Sequence, residues 1–171
     1  MRRWKPPIKD EDRVINDPEK SRKKTFDRAV NLLTFKQRSV EELRTRLLEK
    51  KWTNSEIVED VIVKLSEYNY LDDEEYAYNL AASKLRTKFV GKRRLKQDLV
   101  RKKLDKATID AALERAYEEV PESDLIEQAV EKRLRIKGMP ETQNEQKNFF
   151  AYLMRQGFDY DLIRDQMEKF R

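Results

Sequence analysis

Residues 39–61 read SVEELRTRLLEKKWTNSEIVEDV, and residues 91–113 read GKRRLKQDLVRKKLDKATIDAAL. Laid over one another, Ser39 falls on Gly91, Leu43 on Leu95, Leu47 on Leu99, Lys51 on Lys103, Ile57 on Ile109 and Val61 on Leu113, a constant offset of 52 residues. Residues 145–167, EQKNFFAYLMRQGFDYDLIRDQM, carry the pattern again at an offset of 54, with Phe149, Leu153, Gly157, Phe158, Ile163 and Met167 in the matching places. A period of this length marks one small helical unit used three times. Repeat arrays work through the long surface they present rather than through a buried pocket.

Capping signals divide each unit into helices. In the first, Phe26, Ala29, Val30 and Leu33 have the i, i+3, i+4, i+7 spacing of a helix buried on one face. Ser39 with Glu42 reads as a capping box, and Thr53 with Glu56 as a second. Ile57, Val58, Val61, Ile62 and Leu65 then form a third apolar stripe. In the second unit Asp72 is the expected cap, Gly91 stands where Ser39 stood, and Asp105 caps the last helix. In the third, a helix from Leu125 is expected to stop at Gly138 before Pro140. Thr142 with Glu145 forms a further box, Gly157 closes that helix, and Asp159 opens the next. Ile163, Met167 and Phe170 are expected to face the core, and Phe149, Phe150, Tyr152 and Phe158 read as core aromatics. No segment alternates with period two.

The expected fold is therefore all-α: three tandem three-helix repeats forming a curved, elongated helical array. The expected divisions are a charged, flexible N-terminal tail over 1–25, then repeats over 26–71, 72–120 and 121–171. The tail carries Pro6, Pro7 and Pro18 among dense charge, with Arg22, Lys23 and Lys24 near its end.

Composition narrows the chemistry. Charged residues make up 42% of the 171 and hydrophobic ones 38%, which suits thin helical layers rather than one thick core. There is no cysteine and no histidine, so thiol chemistry, disulfides, histidine bases and histidine metal ligands are all excluded. No Gly-rich phosphate loop or nucleophile elbow occurs. The run Asp72-Asp73-Glu74-Glu75 is the one acidic cluster that invites a metal or catalytic reading. Adjacent carboxylates at a helix start fan out over different faces, and there they simply complement the helix dipole. An enzyme is not expected, and no cofactor is called for. Met1 to Lys9 hold no apolar run, so neither signal peptide nor membrane span is expected, and the default is a cytoplasmic protein.

The charge is unevenly placed. Net charge is +5, yet Lys84 to Lys106 hold eleven basic residues against Asp98 and Asp105. The expected contact residues in this stretch are Arg86, Lys88, Lys92, Arg93, Arg94, Lys96, Arg101, Lys102 and Lys103. Few acids are interleaved to form i, i+4 pairs, so a solvated helix face explains the stretch poorly. Such a stripe tracks phosphates or meets the acidic surface of a protein. Arg38, Arg44 and Arg46 occupy related places in the first unit. Stacked with constant rotation, the two basic faces would join.

Arg38-Ser39-x-x-Glu42-Leu43 followed by Leu47, then Leu71-Asp72-Asp73-x-x-Tyr76-Ala77, then Gly91 with Leu95 and Leu99, resembles the RecX family over about Phe26 to Phe170. The resemblance implies tandem three-helix repeats that modulate the recombinase RecA. It implies binding in the groove of the RecA–single-stranded DNA filament, inhibition of ATPase and strand exchange, and control of recombination and the SOS response. The protein is then expected to be a monomer whose partners are the RecA filament and single-stranded DNA, with no membrane and no cofactor. Ser39, Glu42, Leu43, Leu71, Asp72, Asp73, Tyr76 and Gly91 are its structural positions. Two departures stand out: Lys51-Trp52 and Lys103-Leu104 occupy places where the family usually has a glycine and then an apolar residue. A left-handed helix end without glycine costs roughly 1 kcal/mol. Two other classes fit the residues alone: a nucleic-acid-binding protein that acts without RecA, and a scaffold whose basic face meets only an acidic protein.

Overall fold

The structure, a computed structural model, describes residues 8–169. Among these the regular elements are all helical: α1 Pro18–Phe35, α2 Val40–Leu48, α3 Ser55–Glu67, α4 Asp73–Thr87, α5 Lys92–Val100, α6 Lys106–Glu119, α7 Glu122–Lys137, α8 Gln143–Gln156 and α9 Tyr160–Glu168. The expected all-α class is seen: the helices follow one another in threes, each trio set off by the caps that the repeat carries. The chain forms two compact units, Met1–Tyr76 and Ala77–Arg171, which divide inside α4.

In the first unit α1, α2 and α3 pack pairwise. Their core holds Ala29, Leu43, Leu47, Val58, Val61, Ile62, Leu65 and Leu71, with Phe26 and Val30 packed against it. The apolar stripes read from the sequence are the stripes that face inward. In the second unit α5 packs on α6, while α7, α8 and α9 pack pairwise. Leu95, Leu99, Ile109 and Leu113 fill one part of that core, and Leu125, Phe149, Leu153, Phe158 and Ile163 another.

Most caps form as read. Ser39 Oγ accepts from the Glu42 N–H at 3.1 Å, and Asp105 accepts from Thr108 at 3.0 Å. Thr142 and Glu145 make the full reciprocal box, and Gly157 ends α8 in the left-handed conformation. Two expectations need correction. The cap of α3 is Asn54, whose side chain accepts from Ile57 at 3.0 Å. Thr53 is instead fully buried and shares a 3.0 Å hydrogen bond with Thr25. On α9, Gln166 rather than Met167 is the buried residue of the last turn. Phe170 lies outside the described residues.

The tail expected over 1–25 is corrected within its described part. Residues Met1–Pro7 lie outside the described residues, but α1 already begins at Pro18, capped by Asp17 through the Lys20 N–H at 3.0 Å. Asp followed by proline at the first helical position is a strong helix start, and charge density hid it. Arg22 pairs with Asp60 at 3.1 Å, and Lys24 sits 4.6 Å from the centroid of Trp52.

The segment ahead of α1 is also docked. The Arg13 side chain is only 3% exposed and lies 2.6 Å from an Asp10 carboxylate oxygen. Its guanidinium donates to the carbonyls of Leu48, Lys50 and Thr53 at 3.1, 2.9 and 2.9 Å. The Val14 N–H donates to the Lys51 carbonyl at 3.0 Å. A cation on the last carbonyl of α2 and on two carbonyls of the turn beyond it answers the negative end of that helix. The two expected departures thus resolve differently. At Lys51 no left-handed residue is needed, because Arg13 closes the turn. Lys103 does adopt the left-handed conformation, with φ 58°.

Candidate nucleic-acid interface

The basic stretch opens on α5, whose first turn is Lys92, Arg93 and Arg94 with no acid among them. Cations there oppose the helix dipole at about 0.3–1 kcal/mol each. The helix end is held by other means. Gly91 is its N-cap. The Gly91 N–H donates to the Gln156 carbonyl at 3.0 Å, and the Arg93 N–H to the Gly157 carbonyl at 3.1 Å. The unpaired amides of α5 therefore meet the unpaired carbonyls at the end of α8, and each helix satisfies the other. The Lys92 N–H donates to the Glu122 carboxylate at 2.9 Å. Burial pushes the Glu122 carboxyl above its ordinary range, an effect to which Asp159 adds and which the Lys92 N–H opposes.

The first unit uses the same device. Asp73, the first residue of α4, accepts from the N–H of Val40, the first residue of α2, at 2.9 Å. Glu122 is likewise the first residue of α7. In both places the acid that opens the next trio caps the middle helix of the trio before it. Asp72 accepts from the Glu75 N–H at 2.9 Å, and the Tyr76 hydroxyl reaches a Glu42 oxygen at 3.4 Å. Ser39, Leu43 and Leu71 are buried beside them. The motif Ser39, Glu42, Leu43, Leu71, Asp72, Asp73 and Tyr76 is therefore one connected junction between α2 and α4.

The candidate cations separate by what holds them. Arg94 is half-buried, and its guanidinium donates to Gln156 Oε1 at 2.8 Å. Lys96 is paired with Asp110 at 2.6 Å, which holds that carboxyl below its usual range. Arg101 is paired with Asp98 at 3.2 Å, and Asp98 also meets Lys84. Lys102 and Lys103 lie in the turn after α5. Arg86, Lys88, Lys92 and Arg93 are exposed and make no ion pair with any described residue. These four bracket the α4–α5 connection.

In the first unit the basic residues are more engaged. Arg44 bridges Glu41 and Glu59, with its Nε 2.5 Å from the latter. The pairing holds the Glu59 carboxyl low. Arg46 pairs with Glu49 at 2.9 Å. Arg38 is half-buried, and its Nε is enclosed without a hydrogen-bond partner. Sequence reasoning missed Arg13 and Glu122. Both act on backbone groups far along the chain, which leave no periodic signal. Among the described residues no helix is long and apolar enough to cross a membrane.

Residues 26–65 match the first three-helix domain of RecX, and residues 72–113 match the second. A regulatory protein RecX of Finegoldia magna is 34% identical over 140 residues, covering 81% of this chain and 68% of that protein. One of Chlorobium limicola is 32% identical over 142 residues, covering 82% and 86%. One of Bacillus subtilis is 31% identical over 147 residues. The chain spans about half the length of the Bacillus subtilis and Lactococcus lactis relatives, 55% and 52%. A crystal structure of RecX from Lactobacillus salivarius shares the fold, with a TM-score of 0.78 at 21% identity over 89% of this chain and 97% of that one. Repeats, capping junctions and relatives agree: the chain belongs to the RecX family of regulatory proteins.

Proposed function

We propose that this protein regulates RecA by binding the RecA–single-stranded DNA filament and modulating, mostly inhibiting, its ATPase and strand exchange, and thereby DNA repair and the SOS response. It acts in the cytoplasm as a monomeric binding protein, without catalysis of its own. The observation that supports this reading is the group Arg86, Lys88, Lys92 and Arg93. Around it Lys84, Lys96 and Arg101 form ion pairs and Arg94 donates to Gln156. The side chains of Arg86, Lys88, Lys92 and Arg93 form no ion pair with any described residue, Lys92 lying in the wider field of Asp110 and Glu122. Exposed cations without an ion pair, two of them opposing the dipole at the start of α5, await an anion, either filament DNA or acidic recombinase surface. Several weak contacts along a filament then add through effective concentration.

The test is DNA-stimulated RecA ATPase, titrated with wild type and with a variant carrying Arg86→Glu, Lys88→Glu and Arg93→Glu. Wild type is expected to suppress turnover, and the variant to need roughly tenfold more protein for the same effect. Unchanged ATPase at saturating wild type would sink the regulator reading. Tight single-stranded DNA binding in that circumstance would favour the protein acting on nucleic acid without RecA.

A further inference from the structure

The second compact unit contains a cleft of about 320 Å³ lined by Phe89, Gln128, Glu131, Lys132 and Arg135. Small-ligand sites begin near this size, on the order of 300 Å³. Four of the lining residues come from α7 at i, i+3, i+4 and i+7, which is one helix face. The fifth, Phe89, comes from the α4–α5 connection, next to Lys88. That connection is held before Phe89 by the Lys88 N–H, which donates to the Lys84 carbonyl at 2.8 Å, and after it by two further bonds. The Val90 carbonyl accepts from the Tyr117 hydroxyl at 3.0 Å, and the Gly91 N–H is fixed to Gln156. The ring is thus presented by a braced backbone. Lys132 Nζ lies 5.6 Å from its centroid. Lys88 precedes Phe89 in the chain and, like Arg86, is exposed and makes no ion pair with any described residue.

We propose that this cleft takes one nucleotide of single-stranded DNA, its base stacked on Phe89 and its phosphate between Lys132 and Arg135. This rests on the reading above that places DNA within reach of the α4–α5 connection, and it adds α7, which lies beyond both matched three-helix domains. An aromatic face beside cations is the combination that holds an unstacked base and its backbone. Duplex bases are already stacked and cannot enter, so the cleft selects single strands. An acidic peptide would use the cations and leave the ring idle. The Gln128 amide both donates and accepts, so it tolerates any base edge.

The experiment uses the full chain without RecA. Affinity is measured for an oligothymidylate and for an abasic oligonucleotide of equal length, at one salt concentration. Wild type is expected to bind the thymidylate about fivefold or more tightly than the abasic strand. Phe89→Leu should abolish that difference while leaving abasic binding alone, and Phe89→Tyr should keep it. Lys132→Gln should weaken both strands equally. A Phe89→Leu protein with wild-type helicity that still prefers thymidylate overturns the cleft. If that variant fails to fold, photocrosslinking of an iodouracil-substituted strand to wild type decides. A crosslink at Phe89 supports the assignment, and crosslinks confined elsewhere overturn it. RecA ATPase reports separately. Inhibition without Phe89 dependence removes the cleft and keeps the regulator. Phe89-dependent binding without inhibition does the reverse.

Discussion

Gly91 and Gly157 approach so closely that a Cβ on Gly91 would lie 2.3 Å from the carbonyl carbon of Gly157. The obstacle is backbone, which cannot rotate aside. The same crossing meets Gly157 from the other side, where a Cβ would come 2.4 Å from the Arg94 nitrogen at a φ of +88°. Gly91→Ala and Gly157→Ala should each lower unfolding free energy by about 2–4 kcal/mol. Urea unfolding of the two variants measures this. Wild-type midpoints would show that the two helix ends do not meet.

Lys103 carries a left-handed backbone at φ 58°. Glycine has no Cβ to clash in that conformation, although it gives up more chain entropy on folding. Lys103→Gly is expected to raise stability by about 0.5–1 kcal/mol, read as an upward shift in Tm. Lys51→Gly should bring no such gain, since Lys51 has no positive φ and Arg13 already closes that turn.

Arg13→Ala leaves the carbonyls of Leu48, Lys50 and Thr53 without their guanidinium. Hydrogen bonds to a charged group contribute about 1.5–3 kcal/mol, so a loss of about 2–3 kcal/mol is expected in chemical denaturation. Hydrogen exchange should quicken at the end of α2 first. Uniform acceleration across all helices would contradict a local clasp.

Glu122 has its carboxyl raised above the ordinary value by burial. The ionised form is therefore the disfavoured one in the fold. Stability tied to this group is fully present below the unfolded value of 4.5 and is lost as pH rises through the folded value. Glu122→Gln keeps an oxygen for the Lys92 N–H. It should match wild type in acid and exceed it at neutral pH, by less than about 1 kcal/mol after solvent screening. Thermal melts at the two pH values check the sign.

Neutralising Arg86, Lys88 and Arg93 to Gln should reduce the salt dependence of single-stranded DNA binding by roughly 2 in log–log slope, about 0.7 per lost phosphate contact. Neutralising Lys96 and Arg101 should change it less, because both already hold carboxylates. Equal slopes for the two variants would show that pairing in the free protein does not decide which cations meet DNA.

What the sequence discloses here follows the reach of each interaction. The caps of Ser39, Asp105, Thr142 and Asp159 are read correctly because donor and acceptor lie within three residues. Thr53 and Asn54 stand side by side with equal capping chemistry. Only the buried partner Thr25, 28 residues back, decides between them. The apolar stripes reveal the trios, since periodicity is local. The partners of the cations stay hidden, as Lys96 finds Asp110 at 14 residues and Arg44 finds Glu59 at 15. Gly91 reads as a tolerated cap, and only the distant Gly157 turns tolerance into requirement.

The loans that Asp73 makes to Val40 and Glu122 makes to Lys92 also set a timetable. A chain emerging from the ribosome presents α2 before its acceptor exists, and α5 before its own. Each middle helix gains its last N-terminal acceptor only after its own trio is made: α2 when Asp73 appears, and α5 when Glu122 and then the Gln156 and Gly157 carbonyls appear. A pause in translation just before residue 73 would leave the Val40 N–H without its acceptor, and one just before residue 156 would leave the Gly91 and Arg93 N–H groups without theirs.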